Sequence, residues 1–281
     1  MYIMLDCKKI YIDSRFKTDD SRSDSDFFVE LPRTLNIPDN CVCYIDDIVI
    51  PLSWNTVDAR NNKLYVRAFY LKGETRHTDF IVELPIKNYS GIEYAAALKT
   101  ALNSAVGTTT GTDFETSYEL DQNLLTIVQT NNFADVLIYI LSDDDVVSGA
   151  LSLWDAKVPK GQTYSMNGIL RINKTVKLTR DEQSYTAYID LHGTRNLYLT
   201  SSSLASYNIM SNFKNDVIIK KIPVRANYGQ MIFDGASNGY DYLQLSKRTV
   251  NRLDFRLEDS YGNIMNLNGN HWSFSLIFQI L

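Results

Sequence analysis

The chain has 281 residues and a formal net charge of −5 at pH 7, with 28 lysines and arginines set against 33 acidic residues. The basic residues are scattered, which argues against nucleic-acid binding as the main activity. No stretch approaches the ~20 consecutive apolar residues of a membrane span. The first residues also lack the pattern of a signal peptide, so we expect a soluble intracellular protein. The length allows one large β domain or two modest ones.

Period-two alternation marks the strands of the N-terminal quarter. Ile10 and Ile12 alternate with Lys9, Tyr11 and Asp13, and Phe27, Val29 and Leu31 occupy alternate positions in the next strand. One face of each strand should therefore lie in a core. A nearly continuous apolar run in the third strand predicts that this strand is covered on both faces. The predicted strands of this part are 8–13, 25–32, 41–50 and 62–70.

The middle of the chain combines helical and strand patterns. After a strand at 79–84, Ser90 and Glu93 have the spacing of a capping box, and apolar residues follow at helical intervals up to Leu102. Strands are predicted at 113–119, 123–129 and 135–141. A second, shorter helix then extends from the Asp143–Asp145 run to Trp154. We interpret this β-α-β-β-β-α segment as a self-contained insert.

The last third returns to strands. Weak strands are predicted at 168–178 and 184–190, and stronger ones at 195–201, 216–224, 229–234, 240–246, 250–258 and 271–281. The C-terminal strand alternates as clearly as the first, from Trp272 to Ile280. A sandwich in which the first and last strands share one core leaves neither of these apolar strands as an unpaired sheet edge. We therefore predict a discontinuous β domain of residues 1–75 and 190–281, interrupted by an α+β insertion domain of residues 76–189.

Two heptapeptides of the chain are nearly the same. Residues 26–32 and 79–85 match at six of seven positions, but their flanks differ. We interpret them as two similar strands that end at similar corners, since a duplication should extend further.

The sequence contains no recognisable catalytic constellation. The three histidines lie in unrelated contexts, without a nucleophile motif, and there is no glycine-rich phosphate-binding loop. We expect a solvated strand edge for His77, a turn for His192 and the start of the final strand for His271. The three cysteines are expected to be free thiols of a reducing compartment; they are Cys7, Cys41 and Cys43.

Two further patterns have simple explanations. The Asp143–Asp145 run lacks the spacing of a calcium loop and is expected to cap the second helix. The glycosylation sequons at Asn88 and Asn173 are expected to be chance matches. A pair of carboxylates suited to glycoside hydrolysis stays possible, because their separation depends on the fold. We assign no catalytic, cofactor-binding or metal-binding residue.

A series of segments in the chain resembles one family of viral proteins. Residues 195–204, 216–224, 227–233 and 253–259, followed by the final strand, together with 48–57 and the 89–95 helix start, are similar to the penton, or minor capsid, proteins of Polinton/Maverick elements, virophages and adintovirus-like viruses. Residues 155–190 match least well.

The resemblance implies a fold and a role. It implies a single jelly roll that forms homopentameric capsomers at the icosahedral fivefold vertices of a virion, beside a double-jelly-roll major capsid protein. The virion would assemble in the host cytoplasm or nucleus, and the insert would be free to contact a host receptor or fibre. No cofactor and no enzymatic activity are expected. Two alternatives stay open: a carbohydrate- or receptor-binding β-sandwich component of a virion, and a hydrolase on a sandwich fold.

Overall fold

The computed structural model describes residues 7–71, 76–130, 136–148, 164–178, 184–204, 218–235 and 242–280. The strands within these ranges are β1 (Cys7–Asp13), β2 (Asp26–Ile37), β3 (Cys41–Pro51), β4 (Lys63–Tyr70), β5 (Arg76–Glu83), β6 (Phe114–Glu119), β7 (Leu124–Gln129), β8 (Val136–Ile140), β9 (Val176–Leu178), β10 (Ser184–Tyr188), β11 (Asn196–Thr200), β12 (Ile218–Pro223), β13 (Met231–Asp234), β14 (Leu243–Leu245), β15 (Arg248–Glu258) and β16 (Ser273–Ile280). The helices are α1 (Gly91–Leu102), α2 (Thr108–Thr110), α3 (Asp143–Ser148) and α4 (Asn167–Leu170), with a π-helical turn at Asn103–Gly107 and a 3-10 turn at Ser14–Phe16.

The chain divides into two compact units. The first joins Met1–Trp54 to Thr194–Leu281, and the second is Asn55–Gly193. The first unit contains two sheets, one in the order β1-β16-β3-β13 with β14 also paired to β3, the other in the order β12-β11-β15-β2. Each sheet interleaves strands from the start and the end of the chain, all antiparallel. This is the strand order of a jelly roll, as predicted.

The core of the first unit explains why the two ends of the chain pair. Alternate residues of β1 and β16 face the same interior, and Ile12 and Phe274 are paired neighbours there. An aromatic group lies at the centre: the Trp272 ring stacks on Phe274, while Phe27 meets Trp272 edge to face at 5.7 Å between ring centroids. These large buried rings add to the apolar area whose burial drives this pairing.

A β-bulge changes the pattern of β3. In the pairing of β3 with β16, Ser275 lies opposite Asp47, and the next residue, Leu276, lies opposite Ile45. Asp46 is therefore an extra residue in β3 without a partner position on β16. The inward positions therefore shift from odd numbers to even numbers along the strand. On the outer face, Asp47 is exposed. The prediction that this strand is covered on both faces holds at Val42, which is 2% exposed on the outer face, and fails at Asp47. The apolar run consists of two alternating runs that are out of phase.

The second unit is an α+β structure with its own core. It contains the sheets β5-β4-β8-β9 and β10-β7-β6, and α1 packs against β6. The predicted capping box is confirmed: the Glu93 amide donates to Ser90 Oγ, and the Ser90 amide donates to the Glu93 carboxylate. The buried face of α1 includes Tyr94 and Leu98, whereas Ile92 in the first turn of the helix is exposed.

The unit boundaries differ from the predicted ones. The structure divides the chain after Trp54 and before Thr194, whereas the sequence placed the boundaries after residue 75 and before residue 190. The reason is β4, which pairs with β5 and β8 along most of its length and so belongs to the second unit. Only α4 and β9 are found in the predicted strand 168–178. Residues 149–154 of the predicted second helix lie outside the described residues.

The two similar heptapeptides form strands of different units. In each, the aspartate faces an arginine on the neighbouring strand: Asp26 is paired with Arg256, and Asp79 with Arg67. The phenylalanine that follows enters the core of its own unit. The strands do not end alike, since β2 continues past Pro32 to Ile37 while β5 ends at Glu83.

Candidate interaction surface

The outer side of the first jelly-roll sheet carries large apolar side chains. Tyr11, Phe233 and Met231 occupy outward positions on β1 and β13, where they are 76%, 75% and 43% exposed. Tyr242, just before β14, is 40% exposed and stacks on Tyr44 of β3, with 4.6 Å between ring centroids. We call these five side chains the aromatic face. The outer side of an antiparallel sheet is usually polar, so an apolar group of this kind is a candidate contact surface.

Polar residues divide the aromatic face. Lys9 Nζ lies 2.6 Å from Asp46 Oδ2 at the bulge, and this hydrogen bond raises the pKa of Lys9. The same ammonium lies 5.2 Å from the centre of the Tyr11 ring, a cation–π distance. Burial raises the pKa of Tyr44, and the Tyr242 hydroxyl nearby adds to the effect. Tyr44 is therefore neutral at physiological pH, as a contact that excludes water requires.

The outer side of the second sheet is charged instead. Arg256 Nε lies 3.3 Å from Asp26 Oδ1 across β15 and β2. Arg252 forms an ion pair with Asp20, and its guanidinium carbon lies 4.1 Å from the centre of the Phe28 ring. The outer sides of the two sheets thus differ: the first carries the aromatic face together with the Lys9–Asp46 pair, and the second carries arginine–aspartate pairs.

The three histidines lie in separate local environments. His77 lies on the edge strand β5, with its ring 5.8 Å from that of Phe69. His192 is exposed in a turn, where its amide donates to Asp190. His271 lies two residues before β16 rather than at its first residue, with Nδ1 3.3 Å from Asp24 Oδ1.

The cysteines are free thiols in the structure. Cys7 is exposed, whereas Cys41 and Cys43 are buried on the inner side of β3. Burial raises the pKa of both inner thiols. These two groups are therefore poor nucleophiles.

The predicted cap of α3 by the aspartate run is wrong: Ser142 Oγ, just before the run, accepts from the Asp145 amide at 3.3 Å and caps the helix. All three carboxylates lie in the first turn. Asp143 Oδ1 accepts hydrogen bonds from Ser165 Oγ and Asn167 Nδ2, at 2.5 and 2.8 Å. Among the described residues, no group of three or more histidine, cysteine or acidic side chains could hold a metal ion. At the first sequon, the Asn88 side chain is engaged: Oδ1 accepts from the Thr56 amide at 2.9 Å.

One buried charge pair was missed at the level of sequence. Arg67 of β4 and Asp79 of β5 are completely buried and joined by two hydrogen bonds of 2.5 and 2.7 Å. Arg67 Nη1 has no hydrogen-bond partner among the described residues. The only signal in the sequence was an arginine inside the apolar run of 64–68. Such a pair orders two strands rather than performing chemistry.

The fold of this chain is similar to that of a penton protein of known structure. A crystal structure of the mavirus penton protein matches over 98% of this chain and 100% of that chain, with a TM-score of 0.53 and 13% sequence identity. The two proteins share one fold. The predicted resemblance to virophage penton proteins is thereby confirmed at the level of the fold.

A second solved structure also matches nearly the whole chain. A chain in the cryo-EM structure of the Sputnik virophage matches over 97% of this chain and 98% of that chain, with a TM-score of 0.45 and 11% identity. No protein-family model and no curated protein matches the sequence. Within the described ranges, no helix has the length and apolar character needed to cross a lipid bilayer.

Proposed function

We propose that this protein is a viral capsid protein of the penton type, which forms homopentamers at the fivefold vertices of a virion. The observation that carries the proposal is the shared fold with a penton protein over the full length of both chains, including the second unit. A match restricted to the jelly roll would fit many unrelated β-sandwich proteins. The activity is structural, with no catalysis and no cofactor.

The two outer sides of the jelly roll support ring formation. A ring of five copies needs heterologous contacts, in which one surface of a protomer meets a different surface of the next. The aromatic face provides large side chains of the kind enriched at the centre of protein interfaces. We place the ring contact on this face, with Phe233 and Tyr242 at its centre.

The oligomeric state tests this assignment directly. Light scattering after size-exclusion chromatography should give the mass of five 32.1 kDa protomers, either for the protein alone or after mixing with its major capsid protein. Phe233→Asp should lower the mass to that of a protomer without unfolding it, since Phe233 is 75% exposed. Leu120→Asp is the matched control, because Leu120 is 74% exposed but belongs to the second unit.

Two results would contradict the assignment. One is a wild-type protein that stays monomeric and does not bind the major capsid protein. The other is a pentamer that survives Phe233→Asp, which would reject the aromatic face as the ring contact while leaving the capsid role in place.

The further partners follow from the capsid role. We infer that the neighbour of the pentamer is a double-jelly-roll major capsid protein, and that the second unit is available for a host receptor or a fibre. The protein would then be a virion component assembled in the host cytoplasm or nucleus. Co-purification with the major capsid protein from cells that express both tests the first contact.

A carbohydrate-binding role is the second candidate, because one observation favours it. The exposed rings of Tyr11, Phe233 and Tyr242 lie on one sheet, and aromatic faces of this kind can also stack on sugars. A glycan array probed with the purified protein separates the two functions. Binding to defined glycans that Phe233→Asp abolishes, without a change in oligomeric mass, would favour the second candidate.

A further inference from the structure

A cavity opens at one end of the jelly-roll unit, where β2 leads into β3. Its volume is about 370 Å³. The walls are Leu35 and Ile37 from the end of β2 and Phe278 and Ile280 from the end of β16. Leu35, Ile37 and Phe278 belong to the core of the unit, so the floor of the cavity continues the hydrophobic interior. This size lies within the range of small-molecule sites.

Two lysines lie at the rim of this apolar space. Lys8 begins the inward row of β1, and Lys247 immediately precedes β15; both line the cavity and both are exposed. Neither has an ion-pair partner among the described residues. The Asp39 carboxylate accepts a hydrogen bond from the backbone amide of Lys247 at 3.3 Å, and no ion pair joins it to the Lys247 ammonium within the described residues.

The positive charge of Lys8 acts electrostatically on Cys41 in the wall of the cavity. Cys41, at the start of β3, lines the cavity and is almost completely buried. Burial raises the pKa of the Cys41 thiol, and the ammonium of Lys8 acts in the opposite direction. An anion held at the rim would therefore lie close to Lys8, while an attached apolar chain would pass Cys41 towards the core.

We propose that this cavity binds a straight-chain fatty acid, with its carboxylate between Lys8 and Lys247 and its alkyl chain against the core residues. A cavity of about 150 Å³ holds one benzene molecule, so about 370 Å³ gives room for roughly ten to fifteen carbon atoms. The two unpaired ammonium groups select an anionic head, and the apolar walls select a chain. A short anion without a chain would gain only a weak exposed ion pair.

Titration calorimetry with decanoate, at concentrations where decanoate is monomeric, tests the proposal on the full-length chain. One saturable site per chain is expected. The Lys8→Gln/Lys247→Gln double variant should weaken decanoate binding about tenfold, since each exposed pair contributes a factor of about three. Both side chains are exposed, so the double variant should keep the wild-type melting temperature without ligand.

Two comparisons assign the effect to this site. Lys221→Gln removes an exposed lysine of the same unit outside the cavity and should leave decanoate binding unchanged. Binding of 1-decanol, which has the chain but no charge, should be equal in the wild type and in the double variant. The proposal is overturned if the wild type has no saturable site, if Lys221→Gln weakens binding as much as the double variant, or if 1-decanol and decanoate bind the wild type equally.

Discussion

The buried pair of Arg67 and Asp79 gives the sharpest prediction about stability. Both side chains are fully buried, so the removal of one partner leaves the other charge in a low-dielectric interior. We expect Arg67→Met or Asp79→Leu alone to lower the free energy of unfolding by about 3–5 kcal/mol. A domain is typically stable by about 5–15 kcal/mol in total, and either change therefore threatens the folded second unit.

The double variant should behave differently. With both charges replaced by apolar side chains, no charge is left without a partner, and the unsatisfied Arg67 Nη1 also disappears. We expect the free energy of unfolding of Arg67→Met/Asp79→Leu to equal that of the wild type or to exceed it by about 1–4 kcal/mol. The coupling energy between the two positions should therefore be about 6 kcal/mol or more.

Urea denaturation followed by circular dichroism measures these differences, and hydrogen exchange of the β4 and β5 amides locates them. Glu115→Gln is the control, because the Lys99–Glu115 pair belongs to the same unit but is about half exposed; it should cost less than about 1 kcal/mol. Single variants that cost under about 1 kcal/mol, or a double variant as unstable as the two singles combined, would refute the reasoning.

Two further predictions concern other parts of the fold. Gly91→Ala should destabilise by about 1–3 kcal/mol in urea titration, because a methyl group there would lie 2.2 Å from the Tyr118 ring; Gly168→Ala, with open space around it, should be neutral or slightly stabilising. For Asp254, burial raises the pKa, but hydrogen bonds from the turn 201–203 outweigh it and hold the pKa below its usual value. Its contribution is therefore complete above about pH 4, the pKa of an unfolded aspartate, and is lost as the pH falls further. The acid-induced drop in melting temperature should shrink in Asp254→Asn, and an unchanged pH profile would contradict this account.

Much of the jelly roll could be predicted because its strands are half-buried. Ile10 and Ile12, or Phe274 and Leu276, alternate with residues that face outward, and this alternation is a direct consequence of burial on one side. The same logic failed in β3, since the single extra residue Asp46 shifts the period and joins two alternating runs into an apparently continuous one.

The boundary between the units could not be predicted for a related reason. Leu64, Val66 and Arg67 of β4 are all fully buried, so this strand has no polar side that would reveal which sheet it joins. Pairing with β5 and β8 is a property of the fold, not of the local pattern. The four-residue helix α4 is likewise too short to leave a periodic signal.

The aromatic face and the cavity were beyond sequence reasoning. Met231, Ile232 and Phe233 are all apolar, yet Ile232 is buried and its two neighbours are exposed; only the register with β3 decides which side each one occupies. Lys8 and Lys247 are separated by most of the chain and meet only because β1 and β15 border the same end of the sandwich.

The discontinuity of the first unit has a consequence for synthesis on the ribosome. Strands β1 and β3 are made long before β16 and cannot complete their sheet without it, since β16 lies between β1 and β3. The second unit, made of consecutive residues 55–193, can fold in the meantime as its own domain. The apolar inner rows of β1 and β3 stay unprotected until β16 has been made, so premature association with neighbouring chains must be prevented during that interval.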